Sequence, residues 1–261
     1  MELDRSPISI TFSVWKALFL RESVHRLFSS RAAWAWLLLE PMVHVVFLMF
    51  IFSVVRLRVV GGIDTAVWIM VGMLAFFMFR RTGTQAMNAV GSNQALFTYR
   101  QVKPVDTVLS RAALEGFLMV LVAITLCTGA GLVGLAVIPM DPLAVLEAFF
   151  GLWLLGLGFG LVTSVAQQLV PELGKFVSLL MTPLYLLSGV IFPISLVPQP
   201  FRDWLLLNPV AHGLEAVRLG FAPHYQAVPE LSIGYVYVFA LTAIFFGLAL
   251  HVRFATRLAA K

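Results

Sequence analysis

Two pairs of ionisable residues lie at spacings that place both members on one face of a helix. Glu40 and His44 are four positions apart, and His212 and Glu215 are three positions apart. The first pair could relay a proton within an apolar segment, where ionisable groups are functional candidates, or could form hydrogen bonds around a kink at Pro41. The second pair could supply two metal ligands. Structural hydrogen bonds are the alternative, since no third ligand lies nearby in the sequence.

The sequence contains no other recognisable set of catalytic residues. A phosphate-binding loop requires GxxxxGK followed by Ser or Thr. The one Gly-Lys pair, Gly174-Lys175, precedes Phe176, and Leu169 occupies the position of the first glycine. Cys127 is the only cysteine, which excludes an intrachain disulfide and a multi-thiolate metal site. We therefore expect that this chain binds no cofactor or metal itself and is not an enzyme.

The elements that must position these residues are apolar helices. Of the 261 residues, 60% are hydrophobic and 12% are charged, whereas a globular protein carries roughly 25% charged residues. Uncharged runs reach the roughly 20 helical residues that cross a hydrocarbon layer of about 30 Å. A soluble enzyme is therefore excluded. Nucleic-acid binding does not explain the net charge of +5, because the basic residues are spread over several short loops.

Six apolar segments predict an all-α integral membrane protein with six transmembrane helices. They cover about 32–55, 61–79, 116–138, 148–170, 176–193 and 231–252. Residues 1–31 form an N-terminal region, and 32–261 form a single membrane domain. With the N-terminus inside, 14 of the 18 Lys and Arg residues are cytoplasmic, which predicts that both termini are cytoplasmic. The four outer cations are then Arg56, Arg58, Arg202 and Arg218.

Three segments outside the predicted spans carry further information. In residues 7–31, four apolar residues share a narrow helix face and predict an amphipathic helix at the membrane interface: Ile8, Phe12, Trp15 and Phe19. Packing of this helix on another part of the protein is the alternative. The second segment, 80–110, is a long loop in which 88–99 predicts a short helix with Leu96, Phe97 and Tyr99 exposed at its tip. Such a tip suits docking to a partner, although the loop could instead fold against its own membrane domain.

The third segment, 193–229, predicts two short helices, 201–207 and 210–221, broken at Asn208-Pro209. At 1.5 Å per residue, these reach only about 10 and 18 Å, too little to span the membrane. Their mixture of apolar and charged residues is typical of re-entrant or interfacial elements that line a cavity, and such elements commonly form a gate. In this region Arg202 could pair with Asp203, and Arg218 with Glu215 or solvent.

Aromatic residues and glycines recur at helical spacings within the spans. The aromatics could anchor the helices in lipid, or their faces could stack on sugar rings along a conduit for a polymer. The candidates for that path are Trp68, Phe76, Phe149, Trp153 and Tyr185, with Arg56 and Arg58 as outer cations. Gly156 and Gly160 form a GxxxG arrangement, which predicts close helix packing.

Two stretches resemble the membrane subunit of bacterial ABC exporters for capsular polysaccharide: NQALFTYRQVKPVDTVLSRAALEG (93–116) and SGVIFPISLVPQPFRDWLLLNPVAHGLEAVRLGF (188–221). The resemblance implies a homodimeric permease of the inner membrane with two copies of a cytoplasmic ATPase, which binds ATP and Mg. It also implies a lipid-linked acidic polymer that passes between the two permeases, a periplasmic co-polymerase and an outer-membrane channel. The spread of the basic residues separately predicts no nucleic-acid partner. Residues implied in ATPase coupling are Asn88, Asn93, Leu96, Phe97, Tyr99 and Arg100. Residues implied in a periplasmic gate are Phe201, Arg202, Trp204, Asn208, Pro209, His212, Glu215 and Arg218.

Two other functions remain open at this point. An exporter of the same kind could carry O-antigen or another cargo. A proton-coupled secondary transporter that uses Glu40 and His44 is an alternative of a different class.

Overall fold

The computed structural model describes residues 7–28, 33–55, 59–222 and 224–259, most of which are helical. The α-helices are α1 (Pro7–Phe28), α2 (Ala33–Val55), α3 (Thr65–Met87), α4 (Ala89–Ser92), α5 (Pro104–Leu132), α6 (Pro142–Leu169), α7 (Glu172–Leu187), α8 (Phe201–Leu205), α9 (Pro209–Phe221), α10 (Ile233–Arg253) and α11 (Ala255–Ala259). Two 3₁₀ turns cover Gln94–Thr98 and Ile194–Leu196. A short antiparallel hairpin pairs β1 (Val59–Val60) with β2 (Ile63–Asp64).

Four helices in the described part of the chain are long and apolar enough to cross a membrane: α3, α5, α6 and α10. The apolar segment found in α2 is shorter, Leu39–Phe52, and α7 has 16 residues. The structure therefore agrees with an all-α membrane protein that has four candidate spans, while six spans remain a prediction.

Helix α3 lies at the centre of the bundle and packs against α2, α5, α6 and α9. Within its apolar window 89% of residues are buried, against 17% in α10. A helix that is apolar on all sides needs such surroundings, whereas α10 presents most of its apolar surface outwards. The hairpin turn before α3 uses Gly61 and Gly62 at φ of 58° and 93°. Asp64 then caps the helix by accepting the Ala66 N–H at 2.8 Å.

Helix α3 continues beyond the end of its uncharged run, so the connection to α5 is shorter than the predicted loop 80–110. Arg80 and Arg81 lie inside α3, and α5 begins at Pro104. The helix persists because Thr82 and Ala86 pack without exposed surface against the neighbouring helices. Charged residues mark where a chain leaves the hydrocarbon, and helical hydrogen bonding continues past that level.

The predicted close packing at the GxxxG arrangement of α6 is confirmed. A Cβ atom built on Gly156 would lie 2.8 Å from the carbonyl oxygen of Phe79, and one on Gly160 would overlap the Cβ atom of Ala86. On the other side of α6, Gly158 similarly contacts α10. Glycines thus bring α6 close to α3 and α10 at the same time.

Candidate functional site

The functional candidates gather at two ends of the helix bundle. One end, at the start of α3, holds α8 and α9 and is called the α9 end below. The other end, at the C-terminus of α3, holds α4 and the 3₁₀ turn Gln94–Thr98 and is called the α4 end. The two ends are built from different kinds of contact.

At the α9 end, the side chain of Arg218 has no exposed surface. Its Nη1 donates to Glu215 Oε1 at 2.8 Å and to the carbonyl oxygen of Gly189 at 2.9 Å. Its Nη2 donates to the carbonyl oxygen of Val190 at 2.9 Å, and its guanidinium carbon lies 3.5 Å from the centre of the Trp68 ring. Arg218 therefore connects α9, α3 and the turn that follows α7.

Glu215 and Tyr225 complete this cluster. The Tyr225 hydroxyl donates to Glu215 Oε1 at 3.1 Å. Burial raises the pKa of Tyr225 to about 12; the charge of Arg218 opposes this rise and that of Glu215 adds to it. The phenol is therefore protonated near neutral pH and serves as a hydrogen-bond donor. Gly72 of α3 leaves room for the guanidinium, because a Cβ there would overlap Arg218.

His212 makes structural hydrogen bonds instead of joining Glu215 as a metal ligand. Its Nδ1 accepts the N–H of Ser232 at 3.2 Å, and its Nε2 lies 2.8 Å from the carbonyl oxygen of Leu206. An imidazole that accepts at Nδ1 carries its proton on Nε2, which then donates to that carbonyl. Within the described residues, no group of three potential metal ligands occurs.

The predicted break at Asn208-Pro209 is present between α8 and α9. The Asn208 side chain accepts the N–H of Val210 at 3.0 Å and donates to the hydroxyl of Ser188 at 2.9 Å. Pro209 is the first residue of α9, a position that needs no N–H donor. These contacts fix the start of α9 against the end of α7.

Helix α8 forms an exposed part of the α9 end. Phe201 and Trp204 are 66% and 74% exposed. Arg202 lies 4.0 Å from Glu230, whereas the sequence suggested Asp203 as its partner. The other two predicted outer cations, at positions 56 and 58, lie outside the described residues, so their role in a polymer path stays a prediction.

At the α4 end, the single helix predicted for 88–99 is replaced by α4 and the 3₁₀ turn. The turn does not expose all three residues of the predicted tip. Tyr99 is 65% exposed and Leu96 is half-buried, whereas Phe97 packs against a buried cluster that includes Val90 and Val108. One aromatic residue is therefore held by the membrane domain and the other is exposed, and docking of this segment to a partner stays a prediction.

The remaining coupling candidates also divide into residues that the membrane domain holds and a residue that is exposed. Asn93 is buried and accepts from Arg21 of α1 at 2.9 Å, and Asn88 accepts from Gln167 of α6 at 3.2 Å. Arg100 is exposed beside Tyr99. The segment is thus fixed on two helices by its asparagines.

Helix α1 packs on the membrane domain with one face and leaves the predicted apolar stripe largely open. Ile8 and Phe12 of the stripe are 81% and 70% exposed, while Leu18 is buried. Trp15, also in the stripe, is partly exposed, and its indole N–H donates to Asp106 of α5 at 2.8 Å. The exposed residues Ile8 and Phe12 suit a membrane interface, while Trp15 and Leu18 hold the helix against protein.

Buried ion pairs hold α1 to α3 and α5, and sequence reasoning missed them. Glu115 of α5 has no exposed surface and pairs with Arg26 of α1 and with Arg81 of α3, the latter at 3.4 Å. Glu22 pairs with Arg26 at 3.3 Å and with Arg111. Burial, followed by the charge of Arg111, lowers the pKa of Arg26 to about 10, so this residue stays protonated near neutral pH. These partners are up to 89 positions apart, and no local pattern indicates such a pairing.

The predicted aromatic path divides into buried and accessible residues. Trp68 and Phe76 have no exposed surface, so they cannot contact a polymer in this conformation. Arg218 of α9 lies over the Trp68 ring, and Tyr185 of α7 lies against Phe76. The other three candidates are half-buried: Phe149, Trp153 and Tyr185. Trp153 also donates its indole N–H to the carbonyl oxygen of Ala112 at 2.9 Å.

The second acidic and histidine pair, Glu40 and His44, lies on α2. Both side chains are exposed and face the same polar cleft between α2 and α3. Pro41 is buried within α2, as expected of a proline that packs inside a bundle.

Several long apolar helices, a broken helical element at one end and a short anchored segment at the other define an all-α membrane protein. Residues 13–222 match the model of the ABC-2 type transporter family, and the chain belongs to that family. In this family ATP hydrolysis lies in a separate ATPase subunit.

Curated relatives match along almost the whole chain. The polysialic acid transport protein KpsM of Escherichia coli is 33% identical over 249 residues, which cover 95% of this chain and 96% of the relative. The capsule polysaccharide export inner-membrane protein CtrC of Neisseria meningitidis is 26% identical and covers 92% of this chain and 90% of the relative. The protein of the same description from Haemophilus influenzae, BexB, is 25% identical, with 94% and 92% covered. This chain is therefore homologous to permeases of capsule export over its full membrane domain.

Proposed function

We propose that this chain is the inner-membrane permease subunit of an ATP-driven exporter of capsular polysaccharide. Membership of the ABC-2 family supports the transport class, and the names of the full-length relatives support the cargo. Two copies of the chain form the polymer path between them, and each copy binds one cytoplasmic ATPase subunit. Lipid-linked acidic polysaccharide is the substrate, and a periplasmic co-polymerase and an outer-membrane channel complete the machine.

The observation that carries this proposal is the construction of the α4 end. A short segment leaves the bundle between α3 and α5, is fixed by Asn93 to Arg21 of α1, and presents Tyr99. A partner that moves this segment would move α1 and α5 with it, because Trp15 also bonds Asp106. The chain thus has a rigid connection from a docking surface to its membrane helices, which an ATPase needs for coupling.

The α9 end serves as the outer gate in this proposal. Helices α8 and α9 are too short to span, and the break at Asn208 separates an exposed helix from a buried one. The buried Arg218 cluster holds α9 to α3, while α8 remains exposed. The half-buried aromatics Phe149, Trp153 and Tyr185 are the candidates for sugar contact.

The orientation that follows is an α4 end in the cytoplasm and an α9 end in the periplasm, with both termini cytoplasmic. Cysteine labelling checks this orientation after replacement of Cys127. A membrane-impermeant reagent added from outside should modify a cysteine at Gln199 and should not modify one at Gln101 or at the C-terminus. Labelling at Gln101 from outside would reverse the assignment.

Docking of the ATPase is tested with Tyr99→Ala. Loss of an exposed aromatic anchor at an interface costs about 2 kcal/mol, so we expect the permease to insert normally while the affinity for its ATPase falls roughly 30-fold. The matched control is Ile138→Ala, which removes an apolar side chain that is 84% exposed beyond the opposite end of α5. Copurification of the ATPase with each variant is the measurement. Equal ATPase recovery with both variants would contradict the docking surface.

The cargo is tested separately by complementation. The test strain lacks its capsule permease but retains the ATPase that comes from the same source as this chain. Expression of this chain should restore surface capsule in that strain. Restoration of O-antigen export alone would instead identify O-antigen as the cargo. Proton coupling through Glu40 and His44 loses support, because the chain belongs to an ATP-driven family.

A further inference from the structure

A polar cleft of about 220 Å³ lies between α2 and the second half of α3. It is lined by Glu40, Pro41, His44, Phe77, Arg80, Arg81, Thr84 and Gln85. Its lining contains two arginines from consecutive positions of α3, one histidine and one acidic residue. The proposed function assigns no role to this cleft.

The two arginines differ in their partners. Arg81 pairs through its Nε with Glu115 at 3.4 Å, and Gln85 accepts from Arg26. Arg80 is half-buried, and its guanidinium makes no hydrogen bond or ion pair with any residue in 7–28, 33–55, 59–222 or 224–259. It is therefore a cation whose donors are available at the cleft.

The charges around the cleft do not balance. The cluster that connects it to α1 and α5 contains four arginines and three glutamates: Arg26, Arg80, Arg81, Arg111, Glu22, Glu40 and Glu115. With His44 neutral, one positive charge remains uncompensated. An unpaired charge in surroundings of low dielectric is unfavourable, so the cleft favours occupation by a group with one negative charge.

The depth of Arg80 in α3 places this charge near one membrane surface. The uncharged part of α3 runs from residue 65 to 79, and its 15 residues rise about 22 Å at 1.5 Å each. An arginine next in sequence lies near the end of a hydrocarbon layer of about 30 Å, and its long side chain can extend to the headgroup level. The leaflet concerned is the one at the α4 end.

We propose that this cleft binds the phosphodiester group of an anionic membrane lipid, with Arg80 as the principal ligand. A guanidinium presents paired N–H donors that match two phosphate oxygens, and basic pockets between transmembrane helices are suited to lipid headgroups. Thr84, Gln85 and His44 offer further polar contacts on the cleft wall. Glu40 opposes a second negative charge, so the site favours a phosphodiester with one charge over dianionic inorganic phosphate.

The lipid can come from the bilayer or can be the phosphate-bearing anchor of the cargo, and the site chemistry is the same in both cases. Binding of a bilayer lipid does not depend on the proposed export function. Lipid binding and export are therefore measured separately. Loss of lipid binding does not contradict the export function, and loss of export does not contradict the lipid site.

The test is a titration of the purified full-length chain in detergent with phosphatidylglycerol, with bound lipid counted by native mass spectrometry. Loss of charge-assisted hydrogen bonds in Arg80→Gln should weaken binding about 10-fold or more. Arg253→Gln is the matched control, since Arg253 is an exposed arginine that ends α10, and its affinity should stay within about twofold. Inorganic phosphate at millimolar concentration should not displace the lipid.

In the titration, the site would be overturned by equal affinities of Arg80→Gln and the wild type, or by an equal loss of affinity in Arg253→Gln. Thermal unfolding of each variant confirms that the chain is folded. If Arg80→Gln fails to fold, Arg80→Lys serves in its place. It keeps the charge and should retain part of the wild-type affinity. The source is read from the mass of lipid that copurifies from a polymer-producing host. A phospholipid without sugar identifies the bilayer as the source, and a sugar-bearing lipid identifies the cargo anchor as the source. Absence of any phosphate-bearing lipid contradicts the proposal.

Discussion

Arg218 and Arg202 provide a direct comparison, because both belong to the same short helical region and differ in burial. Replacement Arg218→Met removes a cation with no exposed surface and leaves the Glu215 carboxylate buried with only the Tyr225 hydroxyl as a donor among the contacts described. Breaking such a buried pair costs about 3–5 kcal/mol. Arg202→Met breaks a contact of 4.0 Å with Glu230, whose side chain is 51% exposed, and such pairs contribute about 0–1 kcal/mol.

The assay is unfolding of the purified variants in mixed micelles with increasing denaturing detergent, followed by circular dichroism. The free energy of unfolding of Arg218→Lys should lie between those of Arg218→Met and Arg202→Met. Lysine keeps the charge but loses the planar donors that reach Gly189 and Val190. The double variant Glu215→Gln with Arg218→Met should recover part of the lost stability, since no buried carboxylate remains unpaired. Equal free energies of unfolding for Arg218→Met and Arg202→Met would refute the assignment of a buried, structural ion pair.

Two further predictions concern helix packing and the outer cations. Gly160→Ala should lower the free energy of unfolding by about 1–3 kcal/mol, because the new Cβ overlaps Ala86, whereas Gly129→Ala meets nothing within 4 Å and should be neutral or stabilising by up to about 1 kcal/mol. The same unfolding assay compares the two, and equal effects would contradict the close approach of α6 to α3. Arg56→Gln combined with Arg58→Gln should reduce surface capsule at normal membrane levels if these cations contact an acidic polymer, and full export would reject that electrostatic role.

The apolar pattern predicted the class of fold because spanning length and low charge follow directly from the thickness of the hydrocarbon layer. The same pattern placed the end of α3 too early, since Arg80 and Arg81 mark the membrane surface and the helix continues beyond it. Close helix packing was predictable where it depends on small residues, as at Gly156 and Gly160, although the partner helices were not. The extent of burial of each helix was not predictable, because α3 and α10 are both apolar and differ in their neighbours.

For the candidate site, local contacts were predictable and distant ones were not. The pairing of Arg218 with Glu215 follows from their spacing of three residues on one helix. The sequence predicted this pairing but not its burial, because Trp68, which lies against Arg218, belongs to another helix. Glu115 and its partner Arg26 are 89 positions apart, and only the fold brings them together.

Helix α3 connects the two ends and therefore sets how they communicate under the proposed function. Trp68 contacts Arg218 at the α9 end, and Arg81 contacts Glu115 at the α4 end. Trp68 and Arg81 are thirteen positions apart, about 20 Å along the helix axis. A helix with buried surfaces on all sides moves with its packed neighbours and does not bend freely, because protein interiors are close-packed. Under the proposed function, a displacement that an ATPase imposes through α1 and α5 thus reaches the outer gate along α3, which packs against α2, α5, α6 and α9.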